Sequence, residues 1–204
     1  MWPNSVETQG LLAQVRDGRR PAVDELLARH REPVRRMIGM RLDPAIARRV
    51  DASDIVQDVL LEASRRLSEY LRDPAMPFHL WLRHIAQDHL IDAHRRHRLA
   101  RKRSVDKEQH AGFAGDDRSS VELAARFIDR ELTPASAAIR QELQKRFQEV
   151  LGTLGEDDRE VILMRHFEML SNQEVAAALG LTEAAASMRY LRALRRLRTL
   201  LTSP

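Results

Sequence analysis

The chain has 204 residues, which is long enough for one ordinary domain or two small ones. With 43% hydrophobic and 31% charged residues, its composition excludes an intrinsically disordered chain. The lack of cysteine excludes disulfides, cysteine zinc sites and iron–sulfur clusters. Aromatic residues make up 4%, while Ala, Leu, Arg and Glu dominate, which is typical of an all-α protein. The formal net charge of +4 is modest, so the placement of the basic residues matters more than their excess.

The sequence contains no apolar stretch near the roughly 18 residues that a membrane-spanning helix needs. Charged residues also stand near the N-terminus, where the apolar core of a secretion signal would lie. We therefore expect a soluble cytoplasmic protein with no membrane insertion.

Apolar residues recur at helical spacing through the first part of the chain, over residues 11–38. Asp51 is well placed to cap the strong helix that follows. On this helix Asp54, Gln57 and Asp58 line a polar side. The opposite, apolar side predicts a buried stripe, formed by Ile55, Val56, Val59, Leu60, Ala63 and Leu67.

A loop interrupts the helical pattern at residues 72–79, because its two prolines cannot continue a helix. The next helix begins near Phe78 and carries Trp81 in the middle of an apolar stripe. It runs into the basic segment 94–103, which holds six Arg or Lys residues and no acid. This charge pattern is compatible with a nucleic-acid partner.

Helical periodicity is lost after the basic segment. Residues 105–131 hold seven acids against four Arg or Lys. We therefore predict an all-α fold of two small helical domains, at 5–104 and 133–204, joined by a flexible linker at 105–132.

The C-terminal residues have the pattern of a helix-turn-helix. Ser171 and Glu174 have the spacing of a capping box, and Gly180 supplies the left-handed turn that ends a helix. Thr182 is placed to cap a second helix. Arginine is a good partner for phosphate and guanine, so the sequence predicts DNA binding here. The second helix carries Arg189, Arg192, Arg195, Arg196 and Arg198.

Taken together, these blocks resemble a known family. DASDIVQDVLLEA and FHLWLRHIAQDHLIDAHRRHR, followed by GEDDREVILMRHFEMLSNQEVAAALGLTEAAASMRYLRALRRLR, resemble the sigma-70 family of bacterial transcription initiation factors. The short two-domain layout resembles its extracytoplasmic-function class, and the resemblance covers about residues 10–104 and 134–201. It implies a promoter-specificity factor that binds core RNA polymerase, recognises −35 and −10 elements and aids strand opening. Neither a catalytic activity nor a cofactor or metal of its own is implied.

The resemblance implies a polymerase-binding site in the N-terminal domain. Asp54, Gln57 and Asp58 fall where the family contacts the clamp helices of the largest catalytic subunit. An acidic and amide helix side suits a basic partner helix, although without the resemblance it would be interpreted as a solvated face. The implied partners also include the polymerase flap region, promoter DNA and an anti-sigma protein.

The helix from residue 78 to 98 falls where the family reads and melts the −10 element. Melting requires unstacked bases to be held and a basic groove to follow the strand. Trp81 is expected in the core, whereas base stacking and core packing both stay open for Phe78. Asp88 stands where related sequences often have asparagine, and this leaves the preferred −10 sequence open. The expected −10 contacts are Phe78, Arg83, Asp88, Arg95, Arg96 and Arg98.

The helix-turn-helix falls on the domain that reads the −35 duplex. Residues early in its second helix should reach base edges, and later arginines the phosphates. Its three small alanines offer few polar base contacts, so DNA shape can contribute to recognition. Leu191 is expected in the core. The expected −35 contacts are Ala185, Ser187, Met188, Arg189, Arg192, Arg195 and Arg196.

Three alternatives compete with this interpretation. His84 and Asp88 have a metal-ligand spacing that a metal-dependent hydrolase could use, but no second ligand set accompanies them. A helix-turn-helix repressor or response-regulator-like protein would explain the C-terminal half. It would not explain residues 51–98, which match the polymerase-binding and promoter-melting block of the family. A decoy that binds polymerase without binding DNA would have no need of the arginines.

Overall fold

The structure is a computed structural model that describes residues 2–42, 46, 50–102 and 137–202. Within these residues it is all-α, as predicted, and contains no strand. The helices are α1 (Ser5–Arg16), α2 (Arg20–Gly39), α3 (Ala52–Arg72), α4 (Phe78–Lys102), α5 (Ala137–Thr153), α6 (Glu156–Ile162), α7 (Asn172–Leu179) and α8 (Glu183–Thr202), with a π-helical turn at Leu163–Phe167. The chain forms two compact units that divide near residue 111. The predicted linker, 105–132, lies wholly outside the described residues, so the predicted domain limits stay predictions.

In the N-terminal unit α2, α3 and α4 pack on one another, and α1 packs on α2. The start of α3 is fixed by Asp51, whose side chain accepts a 2.8 Å hydrogen bond from the Ser53 backbone N–H, as the sequence predicted. The apolar stripe of α3 faces the core, where Val59 and Ala63 are fully buried. This packing leaves the opposite side of α3 exposed to solvent.

In the C-terminal unit α8 packs against α5, α6 and α7. Ala176 of α7 is buried, as are Ala186 and Ala193 of α8, and small side chains of this kind let two helices approach closely. The π-helical turn follows α6 directly and buries Leu163, Met164 and Phe167. No described helix is long and apolar enough to span a lipid bilayer.

Candidate nucleic-acid and protein interfaces

A polar stripe on α3 forms the first candidate interface. Asp54, Gln57 and Asp58 are all exposed, in agreement with their prediction as surface residues. Leu61 continues the same stripe one turn further and is 52% exposed, which is high for a large apolar side chain. The spacings of three, four and seven residues place all four on one helix face. Leu61 was missed because the sequence showed two adjacent leucines, and the neighbouring Leu60 was assigned to the core.

Two of the predicted −10 contacts are buried instead of exposed. Phe78 is 1% exposed, with its ring centroid 4.9 Å from that of His30 and 5.5 Å from that of Tyr70. Arg83 is 3% exposed. This structure does not present either side chain on the surface, and their role as −10 contacts stays a prediction. Phe78 is buried because aromatic rings pack around it. These include Trp81, whose ring centroid lies 5.4 Å from that of Phe78.

The other predicted −10 residues lie on the surface of α4. Asp88, Arg95 and Arg96 are exposed, and the side chain of Arg98 lies outside the described residues. Ile91 lies between them on the exposed side and is 55% exposed, although the sequence gave no reason to select it. An apolar side chain beside arginines suits a partner that offers both phosphates and base faces.

His84 and Asp88 do not form a metal site with a third ligand. Among the described residues no group of three or more His, Cys, Asp or Glu side chains could hold a metal ion. Burial lowers the pKa of His84, the charge of Arg83 lowers it further, and Asp88 partly opposes both. His84 is therefore best described as a partly buried neutral side chain.

The helix-turn-helix geometry is fixed by its caps, as predicted. The Ser171 N–H donates to Glu174 Oε2 at 2.7 Å, and the Glu174 N–H donates to Ser171 Oγ at 3.2 Å. Gly180 adopts a left-handed φ of 63° that glycine accepts at little cost. Thr182 Oγ1 accepts from the Ala185 N–H at 3.2 Å and so caps α8. Asn172 ties the two helices together by donating to the Glu183 carbonyl at 2.9 Å.

The exposed face of α8 carries most of the predicted −35 residues. Ala185, Met188, Arg192 and Arg195 are exposed and recur at helical spacing along one side. Leu191 is 45% exposed beside them, so its prediction as a core residue was wrong. The core side of α8 is instead completed by the buried Ala186, Ala193, Leu197 and Leu201, together with the partly buried Tyr190 and Leu194, while the predicted contact Ser187 is half-buried.

Two arginines of α8 are held by acids of α6. Arg189 Nη1 lies 3.3 Å from Asp157 Oδ1, and Arg196 Nη1 lies 2.8 Å from Asp158 Oδ2. These four side chains line an open cleft of about 500 Å³ together with Arg192 and Arg195. The cleft walls can bind anionic groups through guanidinium forks.

Comparison with known proteins assigns the two units to one family. Residues 26–100 match Sigma-70 region 2, and residues 144–197 match Sigma-70, region 4. The RNA polymerase sigma factor CnrH of Cupriavidus metallidurans is 31% identical over 196 residues, which are 94% of this chain and 92% of CnrH. The ECF RNA polymerase sigma factor SigD of Mycobacterium tuberculosis is 30% identical over 189 residues, which are 92% of this chain and 81% of SigD. A match to the probable RNA polymerase sigma factor RfaY of Xanthomonas campestris is 35% identical but spans only 34% of that longer protein.

Solved structures agree with this assignment. CnrH in complex with the cytosolic domain of CnrY aligns with a TM-score of 0.60 and 27% identity, over 94% of both chains. RpoE in complex with the anti-sigma factor NepR from Bartonella quintana has the same fold, with a TM-score of 0.59 at 20% identity over 87% of this chain and 94% of RpoE. The chain belongs to the sigma-70 family, in its extracytoplasmic-function class. It is a promoter-specific transcription initiation factor and not an enzyme.

Proposed function

We propose that this chain binds core RNA polymerase through the exposed stripe of α3 and brings two promoter-reading surfaces to it. The observation that carries the proposal is that Asp54, Gln57, Asp58 and Leu61 stand together, exposed, on the helix within the match to Sigma-70 region 2. Such a face combines carboxylates that steer a basic partner with an apolar residue that gains from burial. The partner surface is the clamp helices of the largest polymerase subunit.

The −10 element is read by the exposed side of α4, from Asp88 to its basic end. Asp88 accepts hydrogen bonds from exocyclic amines, while Arg95, Arg96 and Arg98 follow the phosphates of the opened strand. Ile91 lies beside a base face. Phe78 and Arg83 are buried in this structure, and their role as −10 contacts stays a prediction.

The −35 element is read by α8 in the major groove. Ala185, Ser187, Met188 and Leu191 approach base edges, and the arginines that follow bind phosphates. The C-terminal unit as a whole is held beside the polymerase flap. These assignments are supported by the exposed arginine face and by the capping that fixes the angle between α7 and α8.

The protein acts in the cytoplasm, where polymerase and promoter DNA are found. A protein inhibitor of the anti-sigma type is part of the proposal, because CnrH was solved in complex with the cytosolic domain of CnrY. Such an inhibitor would cover the exposed apolar residues of α3 or α8.

A selection from random DNA tests the proposal. The full chain is incubated with a random-sequence duplex pool, with and without purified core polymerase, and the bound DNA is sequenced. The proposal expects two enriched sequence blocks at a fixed spacing when core polymerase is present, and no more than the upstream, non-palindromic block with the chain alone. Enrichment of one palindromic block by the chain alone would instead establish a dimeric repressor.

A further inference from the structure

The acidic first turn of α6 faces the arginines of α8. This turn holds Glu156, Asp157 and Asp158 in succession. Acids at a helix N-terminus are favourable by themselves, because they offset the unpaired backbone N–H groups there. Two of the three nevertheless reach across to another helix and pair with its arginines.

The two ion pairs differ in exposure. Asp158 is 18% exposed and lies 2.8 Å from Arg196, whereas Asp157 is 76% exposed and lies 3.3 Å from Arg189. The Asp158–Arg196 contact is the shorter of the two and has the better shielded carboxylate, whereas its arginine is the more exposed, at 64% against 26% for Arg189. Arg192 and Arg195 have no acidic partner in the part of the chain that the structure describes.

A carboxylate and a phosphate compete for the same guanidinium atoms. The carboxylate is planar and the phosphate is tetrahedral, but each can accept two parallel N–H bonds from one arginine. Arg189 and Arg196 each use Nη1 to bind α6, so either can offer its full guanidinium fork to the DNA backbone only after that bond is exchanged. The freed carboxylate is then left near the phosphates, where it repels them and takes up a counterion.

We propose that Asp157 and Asp158 are positioning residues that restrain Arg189 and Arg196 and so weaken duplex binding by the C-terminal unit. This inference rests on the proposed reading of −35 DNA by α8. Of the four arginines that line the cleft, two are ready to bind phosphate and two must be released. The restraint reduces the time that the protein spends on the excess of non-promoter DNA.

The test compares charge-neutralising variants of the full chain. Binding of D157N, D158N and the double variant to a −35 duplex and to a scrambled duplex is measured by fluorescence anisotropy over a salt series. E156Q is the matched control, because it removes the same charge from the same helical turn without breaking either ion pair. Thermal unfolding of each variant checks that the C-terminal unit stays folded.

The double variant should bind both duplexes about 3- to 10-fold more tightly at roughly 0.1 M salt, with a salt slope steeper by about one to two. D158N should account for more of the gain than D157N, and E156Q should change affinity less than about 2-fold with an unchanged slope. An equal gain in E156Q would reduce the effect to net charge and overturn the inference. Weaker binding by the double variant would also overturn it, because the acids would then present the arginines to DNA. If the wild-type chain prefers neither duplex, the reading of −35 DNA fails, whatever the variants do.

Discussion

Glu62 on α3 and His89 on α4 are joined by a hydrogen bond in which His89 Nε2 donates to Glu62 Oε2 over 2.8 Å. Glu62 also accepts from Arg66 at 3.1 Å on its own helix. The contact joins the helix that carries the proposed polymerase-binding stripe to the helix that carries the proposed −10 surface.

Replacing Glu62 should change the acid sensitivity of the N-terminal unit. The bonds from His89 and Arg66 lower the pKa of Glu62 below its ordinary value of 4.5. Because the folded pKa is depressed, the stabilisation is complete above about pH 4.5 and is lost as the pH falls through the folded value. Glu62→Gln should therefore reduce the loss of stability in that range, measured by urea unfolding at stepped pH. Glu69→Gln, which removes a carboxylate of α3 that does not contact His89, should leave the pH profile close to wild type.

His30 should make the protein less stable in mild acid. Burial lowers the pKa of His30 to about 4, although its Nδ1–H bond to the Leu26 carbonyl at 2.8 Å partly opposes this. The unfolded imidazole has a pKa near 6.5, so the contribution is complete above that value and is lost as the pH falls towards 4. The loss is of the order of 2–3 kcal/mol. His30→Leu should flatten the dependence of unfolding free energy on pH between 6.5 and 4, whereas His94→Gln, outside the aromatic cluster, should not. A wild-type profile that is flat in this range would contradict the assignment.

The polymerase interface should depend on the α3 stripe. The double change Asp54→Ala and Gln57→Ala should weaken binding to core polymerase by roughly tenfold, or about 1.4 kcal/mol, because it removes a steering charge and a polar contact. Binding to an isolated −35 duplex should stay unchanged, since that surface lies in the other unit. Biolayer interferometry with immobilised core enzyme measures the first quantity. Glu69→Gln, about 16 Å further along α3 than Asp58, serves as the control. If the double variant weakened polymerase binding and duplex binding equally, the assignment would be refuted.

The arginines of α8 should contribute to binding of every duplex. Arg195→Ala should lower the salt slope of duplex binding by about one, because it removes one phosphate contact, whereas Arg196→Ala should lower it by less, because Asp158 restrains Arg196. Arg196→Ala should cost less affinity than Arg195→Ala, since Arg196 first has to leave Asp158. Arg72→Ala is the matched control, because it removes one positive charge from the N-terminal unit instead. An unaltered slope in both α8 variants would show that these arginines do not touch the backbone.

Met188 and Leu191 should read thymine. Both are exposed apolar side chains three residues apart on α8, and an apolar side chain in the major groove recognises the 5-methyl group of thymine. Replacing thymines of the −35 element one at a time by deoxyuridine should therefore weaken binding at one or two positions by a few fold.

The Leu191→Ala variant, measured with the same deoxyuridine-substituted duplexes, should no longer distinguish thymine from deoxyuridine at one position. Leu200→Ala, near the far end of α8, should keep it. Discrimination that survives in both Leu191→Ala and Met188→Ala would exclude these residues as the thymine contacts.

Local features of this fold were predictable from sequence, because short-range rules determine them. The caps at Asp51, Ser171 and Thr182 and the left-handed Gly180 all follow from residue type and spacing within a few positions. The exposed side of α3 followed from helical periodicity in the same way.

Features that depend on distant neighbours were not predictable. Phe78 is buried because Tyr70 and His30 pack against its ring, and the periodicity of α4 does not reveal those partners. Leu191 lies near the edge of the core side, where a small rotation of α8 decides its exposure. The pairing of Asp158 with Arg196 joins residues 38 positions apart, and no sequence pattern indicated it.

Run-off transcription tests the central claim most directly. Purified core polymerase transcribes sheared genomic DNA from the source organism, with and without the full chain, and transcript starts are mapped by sequencing. We expect new starts that appear only with the chain and share two upstream elements at a constant spacing, and the Asp54→Ala, Gln57→Ala variant should produce fewer of them. Tight duplex binding without any new start would contradict the account and favour a repressor.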